Sequence, residues 1–75
     1  MNPQEIGETI KQTRRRLNLL QSELASVAGL SVRTLSEIEN GKETTQIGLV
    51  LQVLDSLAIE VKLQTVVDQN ISGER

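Results

Sequence analysis

The chain of 75 residues contains no cysteine, no histidine and no phenylalanine, tyrosine or tryptophan, and it has a single proline. Without thiols there is neither a disulfide framework nor a thiolate metal site, which suits a reducing cytoplasm. Without histidine or cysteine, the roles of general base and nucleophile would fall to serine, lysine or carboxylates. None of these forms a recognisable constellation, and no glycine-rich phosphate loop exists, so the expectation is a protein that is not an enzyme and uses no cofactor or metal. No apolar run is long enough to span a bilayer, and the N-terminus lacks the layout of a signal peptide; a cytoplasmic location and no membrane partner are expected. Seventy-five residues make one domain, too small to bury a large core alone, and association with another chain is the ordinary remedy.

The charge is low and unevenly spread. The formal net charge is −2, yet residues 1–42 hold six Lys/Arg against five Glu, whereas residues 43–75 hold two against five Asp/Glu. Lys11, Arg14, Arg15 and Arg16 gather in one short stretch. Such a run is ordinarily a solvated helix face, but here it puts the positive end apart from an acidic remainder. That asymmetry suits a nucleic acid on one side and a second, basic partner on the other.

What the chain does have is a succession of short helical patterns with sharp stops. Asn2, Pro3 and Glu5 have the order of a capped helix start, and Ile6, Ile10 and Leu17 would carry its buried face. The spacing predicts a second helix over residues 21–28, a turn at Gly29 and a third helix over residues 32–39. Leu24, Ala25 and Ala28 face Leu35 and Ile38 across that turn, with small Ala25 and Gly29 allowing close approach. Ser31 stands at the N-cap, and Asn40 with Gly41 supplies the left-handed stop. Thr45 is placed to cap a fourth helix through about residue 57, with Ile47, Val50, Leu51, Leu54 and Leu57 inward. Gly48, unfavourable in a helix, would mark close packing there. Two short helices around such a turn describe a helix-turn-helix. On the third helix, Arg33, Ser36, Glu37 and Asn40 fall at i, i+3, i+4 and i+7. Any surface helix has a solvated face; it is the place of this stripe directly after a capped turn that makes Arg33 and Glu37 candidate base readers. Arg can donate two bonds to guanine, and Glu can accept one from cytosine N4.

Gln21, Leu24, Ala25, Gly29, Ser31, Thr34, Leu35, Ser36, Ile38, Glu39, Asn40, Gly41 and Lys42, in this order and spacing, resemble the Cro/C1-type (XRE) helix-turn-helix domain. The resemblance covers about residues 5–57. It implies a mainly α, lambda-repressor-like domain of four to five short helices whose second motif helix enters the major groove of double-stranded DNA. By that resemblance Ser31, Val32, Arg33, Ser36 and Glu37 face base edges, while Gln21, Asn40 and Lys42 meet phosphates. It also implies that Gln21 braces the reading helix and that Arg14 forms a structural ion pair with Glu39. Leu20 departs from the pattern, since the family usually caps its first motif helix there with Thr or Ser.

Residues 58–66 change period. Ile59, Val61, Leu63 and Thr65 alternate with Glu60, Lys62 and Gln64, which reads as one β-strand. The plainer alternatives are a continued helix or a coil laid over the core. A single strand needs pairing from another molecule, and the simplest source is a second copy across a two-fold axis. Ile59, Glu60, Val61, Lys62 and Leu63 would then form the dimer strand, with Glu60 facing Lys62 of the partner. Residues 67–75 read as a short polar, flexible tail. A Cro-like domain followed by one dimerising strand is similar to HipB-type antitoxins. That resemblance implies a homodimeric repressor of its own operon, on a palindromic operator, with a HipA-like kinase toxin as partner. A phage-type or restriction-modification control repressor and a helical interaction adaptor without DNA binding stand as the alternatives.

Overall fold

Asn2 begins the first helix by accepting a 2.8 Å hydrogen bond from the Glu5 N–H, and Pro3 follows where a missing N–H costs nothing. The computed structural model describes residues 1–59, and in them four helices follow one another. These are α1 (Pro3–Arg16), α2 (Gln21–Ala28), α3 (Val32–Glu39) and α4 (Ile47–Ser56). The motif helices match the sequence expectation in their bounds. Of the expected dimer strand, only Ile59 is described, half-buried against the core; Glu60, Val61, Lys62 and Leu63 lie outside the described residues.

All four helices close in the same way. Asn18 (φ 58°), Gly29 (φ 78°), Gly41 (φ 80°) and Ala58 (φ 59°) adopt the left-handed conformation. The residue after each donates back five positions: Leu19 to the Arg14 carbonyl, Leu30 to Ala25, Lys42 to Glu37 and Ile59 to Leu54, at 2.8–3.1 Å. This closure satisfies carbonyls that a helix end would otherwise leave unpaired. At the end of α3 only Gly41 is left-handed; Asn40 keeps φ −88°, contrary to the expectation that both would turn.

The helix starts differ more. Ser31 caps α3, accepting from the Thr34 N–H at 3.1 Å and donating to the Thr34 hydroxyl at 3.0 Å. Leu20 has no acceptor to offer α2. Its own N–H instead donates to the Glu23 carboxylate at 2.7 Å, so half of a capping box remains. Thr45 does not cap α4. Gln46 holds that position without a side-chain bond, and the Thr45 hydroxyl oxygen is buried with no partner among the described residues.

The core is formed by Ile10, Leu24, Ala25, Ala28, Leu35, Ile38, Val50, Val53, Leu54 and Leu57. α1 packs on α3, and α2 packs on both α3 and α4. The inward stripe of α4 is Val50, Val53, Leu54 and Leu57, an i, i+3, i+4, i+7 set; Ile47 (65% exposed) and Leu51 (47%) lie outside it, against expectation. Gly48 meets nothing within 4 Å and marks no close packing. Gly29 is likewise needed for its backbone angle and not for space, since a Cβ there would meet only the Gln52 amide at 3.8 Å. The close approach lies elsewhere. A Cβ on Gly7 would collide with the Ile38 carbonyl oxygen and come within 2.7 Å of that of Glu39. Leu17 is exposed and not part of the buried face of α1, because the chain turns away at Asn18 and Leu19 takes the place against the core.

Candidate nucleic-acid interface

The site is a helix packed on the core by Leu35 and Ile38 and tied at its end to α1 by one buried charge pair. Glu39, the last residue of α3, is 4% exposed, and Arg14, in the last turn of α1, is 8% exposed. Arg14 grips the carboxylate with two bonds, Nε to Oε2 at 2.6 Å and Nη2 to Oε1 at 3.0 Å, a fork matched to the two oxygens. Its remaining nitrogen Nη1 donates to the Leu19 carbonyl at 2.9 Å, tying down the α1–α2 turn. Gln21, the first residue of α2, donates its side-chain amide to Glu39 Oε1 at 3.0 Å. One carboxylate therefore links α1, α2 and α3.

The charges respond accordingly. Burial pushes the Glu39 carboxyl up, but hydrogen bonds from Arg14 and Gln21, with the positive charges of Arg14 and Lys11, outweigh it and hold the group below the usual carboxylate range. The hydrogen bond to Glu39 raises Arg14; burial opposes this, and the charge of Glu39 reinforces it. Both groups stay ionised at neutral pH.

The outer side of α3 carries the remaining candidates. Ser31, Val32 and Arg33 are exposed at its start, Ser36 and Glu37 are half-exposed on the middle turn, and Asn40 and Lys42 are exposed at its end. Glu37 lies 3.6 Å from Arg33 and 3.3 Å from Lys42, so these three form one surface cluster. The Asn40 amide reaches the Ser36 hydroxyl only at 3.5 Å. Two members carry internal duties: the Ser31 hydroxyl is engaged in capping, and the Gln21 amide is turned to Glu39. Sequence reasoning missed two supports. Gln52 of α4 donates to the Ala28 carbonyl at 2.9 Å and so braces the turn between the motif helices, and Gly7 allows the end of α3 to lie on α1. A lone Gln within an apolar helix offered a faint signal for the first; nothing marked Gly7, because close approach is a property of two helices together.

An exposed helix rigidly presented, with an arginine and a carboxylate on its outer stripe, can enter a major groove and contact base edges. Among the described residues no helix is long and apolar enough to cross a membrane. The comparisons agree with the geometry. Residues 10–63 match the helix-turn-helix family HTH_3. The "Uncharacterized HTH-type transcriptional regulator y4mF" of Sinorhizobium fredii is 44% identical over 61 residues, 81% of this chain and 80% of that protein. Among solved structures, an "MDT Protein", a HipB–O4 20mer complex and a HipA–HipB–O2–O3 complex each match with a TM-score of 0.79 and 27% identity, covering 88% of this chain and 93% of theirs.

Proposed function

The chain belongs to the XRE-type helix-turn-helix family of DNA-binding transcriptional regulators, and we propose that it serves as a HipB-like antitoxin. In this reading it binds a palindromic operator as a homodimer, represses its own operon and forms a complex with a HipA-like kinase toxin. The observation that carries the reading is the likeness to HipB, including HipB in a complex with HipA, over most of both chains. Ser31, Val32, Arg33, Ser36 and Glu37 would read bases, and Asn40 and Lys42 would reach phosphates. Gln21 would act mainly by bracing Glu39. Support for the dimer comes from α4, whose exposed Ile47 and Leu51 offer an apolar flank for a two-stranded ribbon from residues 58–66 to cover.

Two experiments test this. Co-expression with the product of the neighbouring gene, followed by purification and size measurement, should yield a stable complex with a kinase-like protein. Failure to form one, with operator binding intact, would favour a phage-type or control repressor. On DNA, Arg33→Ala should cost about 1–3 kcal/mol of operator binding and relax preference at one position per half-site. Unchanged affinity and base preference across randomised operators would reduce Arg33 to a solvated side chain.

A further inference from the structure

The outer stripe of α3 holds a carboxylate among the groups that would meet DNA, and that carboxylate is already occupied. Glu37 Oε2 lies 3.6 Å from Arg33 Nε and 3.3 Å from Lys42 Nζ. Two separate local features bring the three together. Arg33 stands one helical turn before Glu37, where i,i+4 side chains meet. Past the end of the helix, left-handed Gly41 folds the chain back, and the Lys42 N–H donates to the Glu37 carbonyl at 3.0 Å. Both cations approach the same oxygen, Oε2, so the carboxylate keeps a second oxygen with which to accept. The Arg33 side chain is 89% exposed and that of Glu37 33% exposed, so the cations can be drawn away without disturbing the core. The cluster has a net charge of +1 where the two cations alone would give +2.

We infer that Glu37 is a specificity-determining residue acting as an internal counterion, occupying Arg33 and Lys42 until a matching base edge replaces them. The inference rests on the DNA-binding reading above and adds a discriminating role within it. Any duplex offers phosphates to Arg33 and Lys42. Taking them from Glu37, however, leaves its carboxylate uncompensated and close to other phosphates. A cytosine N4 or adenine N6 amino group in the major groove donates to the carboxylate and removes that cost. Wrong sequences supply the phosphates without the donor, so the cost falls on them alone. Discrimination is then obtained with a chain whose overall charge is negative, because the reading face is kept from binding DNA indiscriminately.

The test uses the full-length chain with two duplexes: one enriched from a randomised pool by the wild-type protein, and one of random sequence that it does not select. Glu37→Gln keeps the shape and removes the charge. It should raise affinity for the random duplex roughly five- to tenfold near 0.1 M salt and steepen the log–log salt dependence by about one. The ratio of selected to random affinity should fall by about tenfold or more. Glu43→Gln makes the same charge change on the neighbouring exposed loop and should move that ratio by less than about twofold. Lys42→Gln should weaken random-duplex binding more in the Glu37→Gln background than in the wild type, because only there is Lys42 free. If Glu43→Gln reproduces Glu37→Gln, or if Lys42→Gln has the same effect in both backgrounds, Glu37 is one charge among others and the inference falls. If the wild-type chain enriches no sequence and binds no duplex, the DNA-binding reading fails first, before any variant is compared.

Discussion

Glu39 is a charged side chain in a core position, made tolerable by three donated hydrogen bonds. Removing one member of such a buried pair leaves the other charge without compensation, and Glu39→Ala should cost about 3–5 kcal/mol in urea denaturation. A loss below about 1 kcal/mol would place the pair with ordinary surface bridges. The depressed carboxyl also sets a sign for pH. Between its folded value and the unfolded value near ~4.3, the unfolded chain binds more protons, so this contribution is complete above that range. It is lost as pH falls through the folded value. Glu39→Gln should therefore flatten the acid limb of stability against pH, measured by chemical denaturation from neutral pH downward; an unchanged limb would mean other carboxylates govern it. Ala58 poses a different problem. At φ 59° its Cβ is crowded, at a cost of roughly 1–2 kcal/mol relative to a residue without one. Part of that is offset by the greater freedom of glycine in the unfolded chain. Ala58→Gly should raise the denaturation midpoint by the equivalent of about 0.5–1 kcal/mol. A midpoint that stays put or falls would show that the closing turn of α4 is not strained.

Elements meet here through small contacts with large consequences. The end of α3 lies against Gly7 of α1, with two carbonyl oxygens where a side chain would be. Those belong to Ile38 and Glu39, the residues that anchor the end of α3 in the core and bind Arg14. Gly7→Ala should thus push the helices apart, costing about 1–3 kcal/mol and loosening the Arg14–Glu39 bonds together. Thermal denaturation checks the first effect, and a coupling below additivity with Glu39→Ala checks the second. Full stability in Gly7→Ala would mean that α1 can shift without loss. At the other side of the motif, Gln52 joins α4 to the Ala28 carbonyl, so the turn before α3 is held from α4.

At the scale of the molecule, the four helices of the described residues and the turn after α4 bury ten apolar side chains and leave Ile47 and Leu51 exposed on α4. Residues 58–66, with their alternating pattern, are the proposed means of joining two such domains. With Glu60 facing Lys62 of the partner, the two-fold axis would pass near Val61, and Val61→Pro removes a ladder donor there and is poorly tolerated in a central strand. It should shift the protein toward monomers in sedimentation at micromolar concentration. It should also weaken operator binding by at least about tenfold, since two linked reading helices bind with an effective concentration that separate ones lack. A dimer of normal stability would mean that the subunits join through helices, and the antitoxin resemblance would lose a main support.

Local chemistry was readable residue by residue. Asn2 and Ser31 as caps, Gly29 and Gly41 as left-handed stops, and the bounds of α2 and α3 all follow from interactions spanning five residues or fewer. The outward stripe of α3 was legible for the same reason, because helical periodicity alone puts Arg33 and Glu37 on one side. The Arg14–Glu39 pair was suggested only by family likeness, as matching charges 25 residues apart carry no address of their own. α4 is apolar at 47, 49, 50, 51, 53, 54 and 57, nearly all round its axis, so periodicity could not choose the inward stripe; packing against α2 chose it. The failure of Thr45 as a cap, the exposure of Leu17 and the need for glycine at position 7 depend likewise on which surfaces meet. The sequence by itself determined the bounds of α2 and α3, the cap of α1 and the polar face of α3, because those energies are local. Which of several apolar faces is buried, and which charges are joined across helices, was decided by tertiary structure, because close packing and the low polarity of the core exist only once the elements are assembled.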